Sequence, residues 1–142
     1  MKNDPRQEEI IQEFELLGGD AEMMITYLIE LGQKAPAMSE EEKTDDILVK
    51  GCQSKVWLRA LQEGNNLCFK ADSNSVVTKG LVSILVRIFN CQTPEETAGK
   101  EVYFMERSGL SRYIGTQRSN GFGAMVKQIR YYGLAYQANK KT

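Results

Sequence analysis

The chain has 142 residues, 18 basic and 19 acidic side chains, a formal net charge of −1, and 42 % hydrophobic and 26 % charged residues. That is the size and composition of one ordinary globular domain, and the balanced charge argues against nucleic acid or an anionic membrane as a partner. There is no histidine, which removes the commonest base and metal ligand near neutral pH and excludes a Cys–His nucleophilic pair within the chain.

The opening residues Met1 to Pro5 lead straight into a charged amphipathic pattern without the apolar centre of a signal peptide. No apolar run approaches membrane-spanning length, so a cytoplasmic location is expected. Asp4, Pro5 and Gln7 form a helix start, with a carboxylate at the cap and proline in the first turn. Ile10, Ile11, Phe14 and Leu17 then share a face, and Gly18-Gly19 ends the helix. Asp20 caps a second helix predicted over Ala21–Gln33, with Met24, Tyr27, Leu28 and Leu31 on its stripe. The two should form a hairpin. Lys34 to Asp46 is polar and reads as a surface crossing, in which Ser39 and Glu42 predict one short helical turn.

Lys55–Leu61 reads as a strand with apolar groups on both faces. Gly64-Asn65-Asn66 is a turn, and Leu67–Ala71 is a second, antiparallel strand. Asp72-Ser73-Asn74 is a polar junction expected to cap the next helix. That helix reaches Phe89 on the stripe Val77, Leu81, Ile84, Leu85 and Ile88. Gly80 interrupts it, expected from close packing against the sheet. Thr93-Pro94-Glu95-Glu96 starts another short helix. Short helices follow over Val102–Gly115. A polar, glycine-containing loop over Gln117–Gly123 leads to a last helix at about Phe122–Tyr136, and Asn139 to Thr142 reads as a frayed tail.

Cys52 lies between Gly51 and Gln53-Ser54, just before the first strand. A lone cysteine is commonly a small buried hydrophobe. Here the surroundings are a turn, where no apolar filler is needed, and Lys50 and Lys55 lie nearby in sequence and would favour a thiolate where their ammonium groups approach it. Cys52, Cys68 and Cys91 are sixteen and twenty-three residues apart. That spacing shows neither a disulfide framework nor the close cysteine pair typical of zinc and iron–sulfur sites, so Cys68 and Cys91 read as structural or incidental. Asp72 reads locally as a helix cap and Arg118 as a surface arginine. No phosphate loop, serine elbow or dinucleotide fingerprint is present.

Lys50-Gly51-Cys52-Gln53-Ser54-Lys55-Val56-Trp57 closely resembles the cysteine-loop signature of the SufE/CsdE family of sulfur-acceptor proteins in iron–sulfur cluster assembly. Residues Tyr27 to Gly32, the block Ala71-Asp72-Ser73 with Thr78-Lys79-Gly80-Leu81, and the block Arg118 to Met125 resemble further family motifs. The resemblance spans about residues 10 to 138. This chain differs in having Ala35-Pro36 where the family often shows Leu-Pro, and Thr116 where it usually has proline.

The resemblance implies an α+β fold with helices packed on a small antiparallel β-sheet, similar to the IscU scaffold. It implies that Cys52 accepts persulfide sulfur from a SufS-type cysteine desulfurase, stimulates that enzyme, and relays sulfur to a SufBCD-type scaffold complex. Pyridoxal phosphate would belong to the desulfurase, and this chain would hold no cofactor and no metal. Gly51, Gln53, Ser54, Asp72, Lys79 and Arg118 would support the acceptor loop or the partner interface. The apolar surroundings of Cys52 allow weak self-association. Two alternatives remain open at this point: a desulfurase-binding regulatory module that carries no sulfur, and a cluster scaffold, for which the ligands are too few.

Overall fold

In the computed structural model, which describes residues 3–140, six α-helices accompany one two-stranded antiparallel sheet, with α-helical packing on one of its faces. The α+β class expected above is therefore present. Met1, Lys2, Lys141 and Thr142 lie outside the described residues, as do the parts of the two terminal expectations that fall on them. Among the described residues, no helix is long and apolar enough to cross a membrane.

Helix α1 (Pro5–Glu15) starts as the sequence dictates, with the Asp4 carboxylate accepting from the Arg6 N–H. Gln7 is buried rather than closing the cap box. Its side chain donates to the Glu101 carbonyl at 2.9 Å and accepts from the Tyr103 N–H at 2.9 Å, tying α1 to a distant segment. Helix α2 (Ala21–Lys34) is capped by Asp20, which accepts from the Met23 N–H at 2.9 Å. The Ser39–Glu42 pair makes both expected cap bonds, Ser39 N–H to Glu42 at 2.9 Å and Glu42 N–H to Ser39 at 3.3 Å. One turn forms there, with the Glu42 N–H donating to the Ser39 carbonyl at 3.1 Å and the Lys43 N–H to the Glu40 carbonyl at 3.3 Å, and the Glu42 carboxylate also accepts from Lys70 at 2.7 Å.

Strands β1 (Val56–Glu63) and β2 (Asn66–Ser73) pair from Val56 opposite Ser73 to Glu63 opposite Asn66. β2 thus runs two residues past its predicted end, because cross-strand pairing continues through Asp72 and Ser73. One face of the hairpin packs Leu58, Leu67, Phe69 and Ala71 into the main core with Ile10, Phe14, Leu28, Leu85, Phe89, Phe104 and Ile129. Trp57 points the other way into a small cluster with Met38 and Ile47, so the second face is partly covered, as its apolar residues require.

Helix α3 (Val76–Phe89) is the central core helix. Its cap is Ser75, whose side chain accepts from the Thr78 N–H at 3.3 Å, and not the Asp72–Asn74 triplet. Gly80 serves α2 rather than the sheet. A Cβ on Gly80 would stand 2.3 Å from the Leu28 carbonyl oxygen, and one on Gly32 would stand 2.7 Å from the Gly80 nitrogen. The two helices therefore cross backbone against backbone.

Helix α4 (Pro94–Gly99) carries the complete Thr93–Glu96 capping box. A short α5 (Phe104–Ser108) and a 3-10 turn at Leu110–Arg112 follow. The last helix, α6, spans Thr116–Lys140, so the expected loop at residues 117–123 is helical. Gly133 permits α6 to touch α4, since a Cβ there would lie 2.6 Å from the Ala98 nitrogen. Tyr132 donates its hydroxyl to the Leu58 carbonyl at 3.2 Å and fixes α6 to β1.

The expectation of unpaired cysteines is corrected: Cys68 and Cys91 form a disulfide. Their separation in sequence hid their proximity. From Cys68 the chain travels about 17 Å along β2, and α3 carries it back by about 21 Å, which returns Cys91 to the level of Cys68.

Candidate functional site: the Cys52 loop and its cavity

Residues 50–55 form a loop pinched at its base. The Val49 N–H donates to the Val56 carbonyl at 2.8 Å, and Leu48 bridges Trp57. The outgoing arm is fastened to the junction between β2 and α3. The Lys55 N–H donates to the Asn74 side chain at 3.0 Å, and Ser73 donates its hydroxyl to the Lys55 carbonyl at 2.7 Å. Ser73 and Asn74, expected at a helix cap, instead hold this loop.

Gly51 turns the chain at φ 93°, a conformation costly for any residue with a Cβ. A Cβ there would also press within 3.2 Å of the Ala124 methyl. Cys52 is half-buried and not disulfide-bonded. Its thiol donates to the Gly121 carbonyl oxygen at 3.4 Å. Gly121 is buried beneath it, and a Cβ at that position would stand 3.4 Å from the sulfur. The small residues Gly121 and Ala124, one helical turn apart on α6, therefore make the seat on which the loop rests.

Burial pushes the Cys52 thiol above its ordinary range. The thiolate expected from Lys50 and Lys55 is not favoured in this conformation, because withdrawal from water penalises the charged sulfur. The thiol borders a cavity of about 430 Å³. Cys52, Gln53 and Ser54 form one side of it, Thr78 and Leu81 of α3 another, and Ile114 to Arg118 with Gly121 and Met125 a third. Apolar and hydrogen-bonding groups thus face one another across a space that can take atoms added to the sulfur.

Arg118 lies in the first turn of α6, not in a loop, and its guanidinium donates to the Ile114 carbonyl at 3.4 Å. Gly115, at φ 86°, turns the chain so that Thr116 opens the helix. Proline, which the resemblance expects at Thr116, is favoured at that first helical position, so the substitution leaves the geometry intact.

Asp72 and Lys79 do not line the cavity; they belong to a neighbouring charge cluster. The Asp72 carboxylate accepts from the Met38 N–H at 2.9 Å and the Ser73 N–H at 2.8 Å. Lys79 and Lys43 approach it at 3.5 and 3.7 Å. Burial alone would raise the Asp72 carboxyl, but the two backbone donors and then the two lysines outweigh it and hold it below the usual carboxylate range. Asp72 thereby joins β2, α3 and the crossing segment, immediately beside the Ser73 and Asn74 anchors.

Of the expected site residues, Cys52, Gln53, Ser54 and Arg118 meet at the cavity, Gly51 shapes the loop, and Asp72 with Lys79 braces its base. Gly121, Thr78, Leu81 and Ile114 were not singled out. Leu81 and Met125 were legible as core positions and as members of family blocks, not as lining of a site. Gly121 lay inside the Arg118–Met125 block but carries its role through a backbone carbonyl, which no residue type advertises.

The sequence model of SufE, described as an Fe-S metabolism associated domain, matches residues 8–132. The chain belongs to the SufE family. An uncharacterized SufE-like protein of Rhizobium etli is similar to it, 34 % identical over 128 residues that cover 87 % of this chain and 86 % of the relative. The solution structure of a hypothetical protein from Thermus thermophilus has the same fold, with a TM-score of 0.77 at 16 % identity over 96 % of this chain and 99 % of that one. The SufE match contains the cysteine loop, the seat on α6 and both walls of the cavity.

Proposed function

We propose that Cys52 accepts sulfane sulfur from the active-site persulfide of a SufS-type cysteine desulfurase, stimulates that enzyme by unloading it, and passes the sulfur to a SufBCD-type scaffold complex. The observation that carries this reading is an unbonded thiol on an anchored loop, facing a cavity of about 430 Å³, in a chain of the SufE family. In the transfer, the Cys52 thiolate attacks the outer sulfur of the donor persulfide. One S–S bond forms, the donor S–S bond breaks, and the donor cysteine leaves as a thiolate.

The remaining features support the same chemistry. Cys68 and Cys91 are bonded to each other, so in this form neither offers a thiol that would convert a persulfide on Cys52 into a disulfide. The seated thiol is neutral at rest. Leaving the seat returns it to water and frees the thiolate, which couples activation to the meeting with the donor. Gly51, Gln53, Ser54 and Arg118 surround the acceptor, while Asp72 and Lys79 brace the ground on which its loop stands. Kinship of fold with the IscU scaffold and a cytoplasmic location belong to the same proposal.

The test is to incubate the protein with desulfurase, pyridoxal phosphate and cysteine and to map the products by mass spectrometry. A gain of one sulfur atom on the Cys52 peptide is expected, and the variant Cys52→Ser should lose both that gain and the stimulation of the desulfurase. Stimulation that survives in Cys52→Ser would replace the relay by a purely regulatory interaction.

A further inference from the structure

The disulfide lies toward the turn end of the hairpin. Leu61 stands opposite Cys68, and Glu63 is two residues further along β1, so Leu61, Glu63 and Cys68 share a face. Cys91 reaches that face from the connection between α3 and α4. The two sulfur atoms and a Glu63 carboxylate oxygen all lie within 4.8 Å of one another. Cys68 is buried, whereas Cys91 and Glu63 are exposed, so the trio is closed on one side and reachable from solvent on the other.

The backbone holds the two cysteines together independently of their bond. The Leu67 N–H donates to the Gln92 carbonyl at 2.7 Å, and the Phe69 N–H donates to the Asn90 side chain at 2.8 Å. Both neighbours of Cys68 are thus tied to both neighbours of Cys91. Asn90 is itself fixed, its N–H donating to Val86 and its carbonyl accepting from the Arg6 guanidinium at 2.7 Å. Cys91 occupies φ 57°, a left-handed conformation that a non-glycine residue adopts only where its surroundings enforce it. None of these hydrogen bonds involves a sulfur atom, so reducing the S–S bond removes none of them directly.

We propose that Cys68 and Cys91, once reduced, form with Glu63 a binding site for a thiophilic divalent cation of the zinc class, mutually exclusive with the disulfide. Reduction adds two electrons and two protons to the pair, and the cation displaces both thiol protons as it binds. Two thiolates and one carboxylate fill three positions of a tetrahedral shell and leave the fourth to water. Thiolate donors select zinc over magnesium or calcium. The clamped backbone keeps the donors together before the metal arrives, so little ordering cost falls on binding.

The test uses the full chain carrying Cys52→Ser, which removes the other thiol and separates this site from the sulfur relay. A phosphine reduces the disulfide, leaving as phosphine oxide with the oxygen of water, and is then removed anaerobically. Zinc is titrated against a chromophoric chelator, and cobalt serves as the optical probe. The reduced protein should bind one equivalent of zinc and show a thiolate-to-cobalt charge-transfer band, and the oxidised protein should do neither. Adding Cys91→Ser should abolish the band and weaken zinc by more than the roughly 10–100-fold that even an outer-shell partner is worth. Glu63→Gln, an exposed change that leaves the fold intact, should keep the band and weaken zinc about tenfold or more. Equal zinc binding by the reduced and oxidised forms, or undiminished binding with Cys91→Ser or with Glu63→Gln, would overturn the proposal.

Discussion

Where β1 begins, Cys52 rides on residues 50–55 with a single 3.4 Å thiol hydrogen bond beneath it and a cavity before it. Toward the turn of the same hairpin, Cys68 and Cys91 are bonded to each other, with backbone hydrogen bonds on both flanks. The difference shows how one small sheet can hold sulfur loosely or tightly. The lone thiol rests over Gly121 and on one weak acceptor, with no covalent tie to the framework. The paired thiols are locked to the framework, and neither can leave without disturbing β2 and the end of α3.

The comparison breaks most completely at Cys52 itself. Cys52→Ser should take sulfur loading to zero in the mass-spectrometric assay while leaving the thermal transition nearly unchanged, since the substitution removes one weak bond. Loading that persists at Cys68 or Cys91 would erase the division between the two ends.

At the other end the expected response is the reverse. Reducing Cys68–Cys91 opens a loop of 23 residues in sequence separation, and loop entropy puts the loss at about 3 kcal/mol. Denaturant titrations of Cys52→Ser with and without reductant measure this. Wild-type protein whose disulfide has been reduced, and from which the reductant has then been removed anaerobically, should load sulfur on Cys52 to the same extent as the oxidised protein.

A smaller effect is expected at the seat. Gly121→Val places branched carbons against the Cys52 sulfur, where even a Cβ would stand at 3.4 Å. Overpacking should cost about 1–3 kcal/mol and drive the loop off α6. The alkylation rate of Cys52 at fixed pH should rise severalfold, whereas Gly123→Ala, at a glycine whose Cβ would meet nothing within 4 Å, should leave it unchanged.

The smallest effect is in pH. Because burial raises the Cys52 thiol, its alkylation midpoint should lie above that of a free cysteine, and above that of Gly121→Val. The sign of the linked stability follows. Above the unfolded-state thiol pKa the unfolded chain releases a proton that the folded chain retains, so stability falls slightly as pH rises through that range. Asp72 acts oppositely. Its lowered carboxyl stabilises the fold above the ordinary aspartate pKa, and that contribution fades as pH falls through the folded value.

Much of this architecture is written in local patterns. The Asp4 and Asp20 caps of α1 and α2, the β1–β2 pairing, the α3 stripe and the Thr93 capping box all follow from caps, turns and periodicity; the hairpin expected of α1 and α2 does not form as a closely packed pair, because α2 lies against α3 and α1 against α5 and α3. The misplaced elements are those in which a distant contact decides. Gly121 argues against starting the final helix as early as Thr116 on propensity, yet α6 needs it under Cys52. Asp72 resembles a cap until Val56 is seen pairing with Ser73, which extends the strand over it. At the site, Cys52 and Arg118 were legible as residue types within motifs. The Gly121 carbonyl and the wall from Thr78 and Leu81 were not, because they contribute backbone and shape rather than distinctive chemistry.

The glycine crossing of α2 and α3 has a mechanical consequence for the cavity. With Gly32 against Gly80 and no room for even a methyl group between them, α3 cannot retreat toward α2, and Thr78 and Leu81 form a stationary jaw. Any enlargement of the space around the sulfur is left to the opposing side, where α6, at Gly121 and Ala124, and the tongue bearing Cys52 touch through small surfaces and one long hydrogen bond. A bulkier guest is therefore accommodated by one jaw alone.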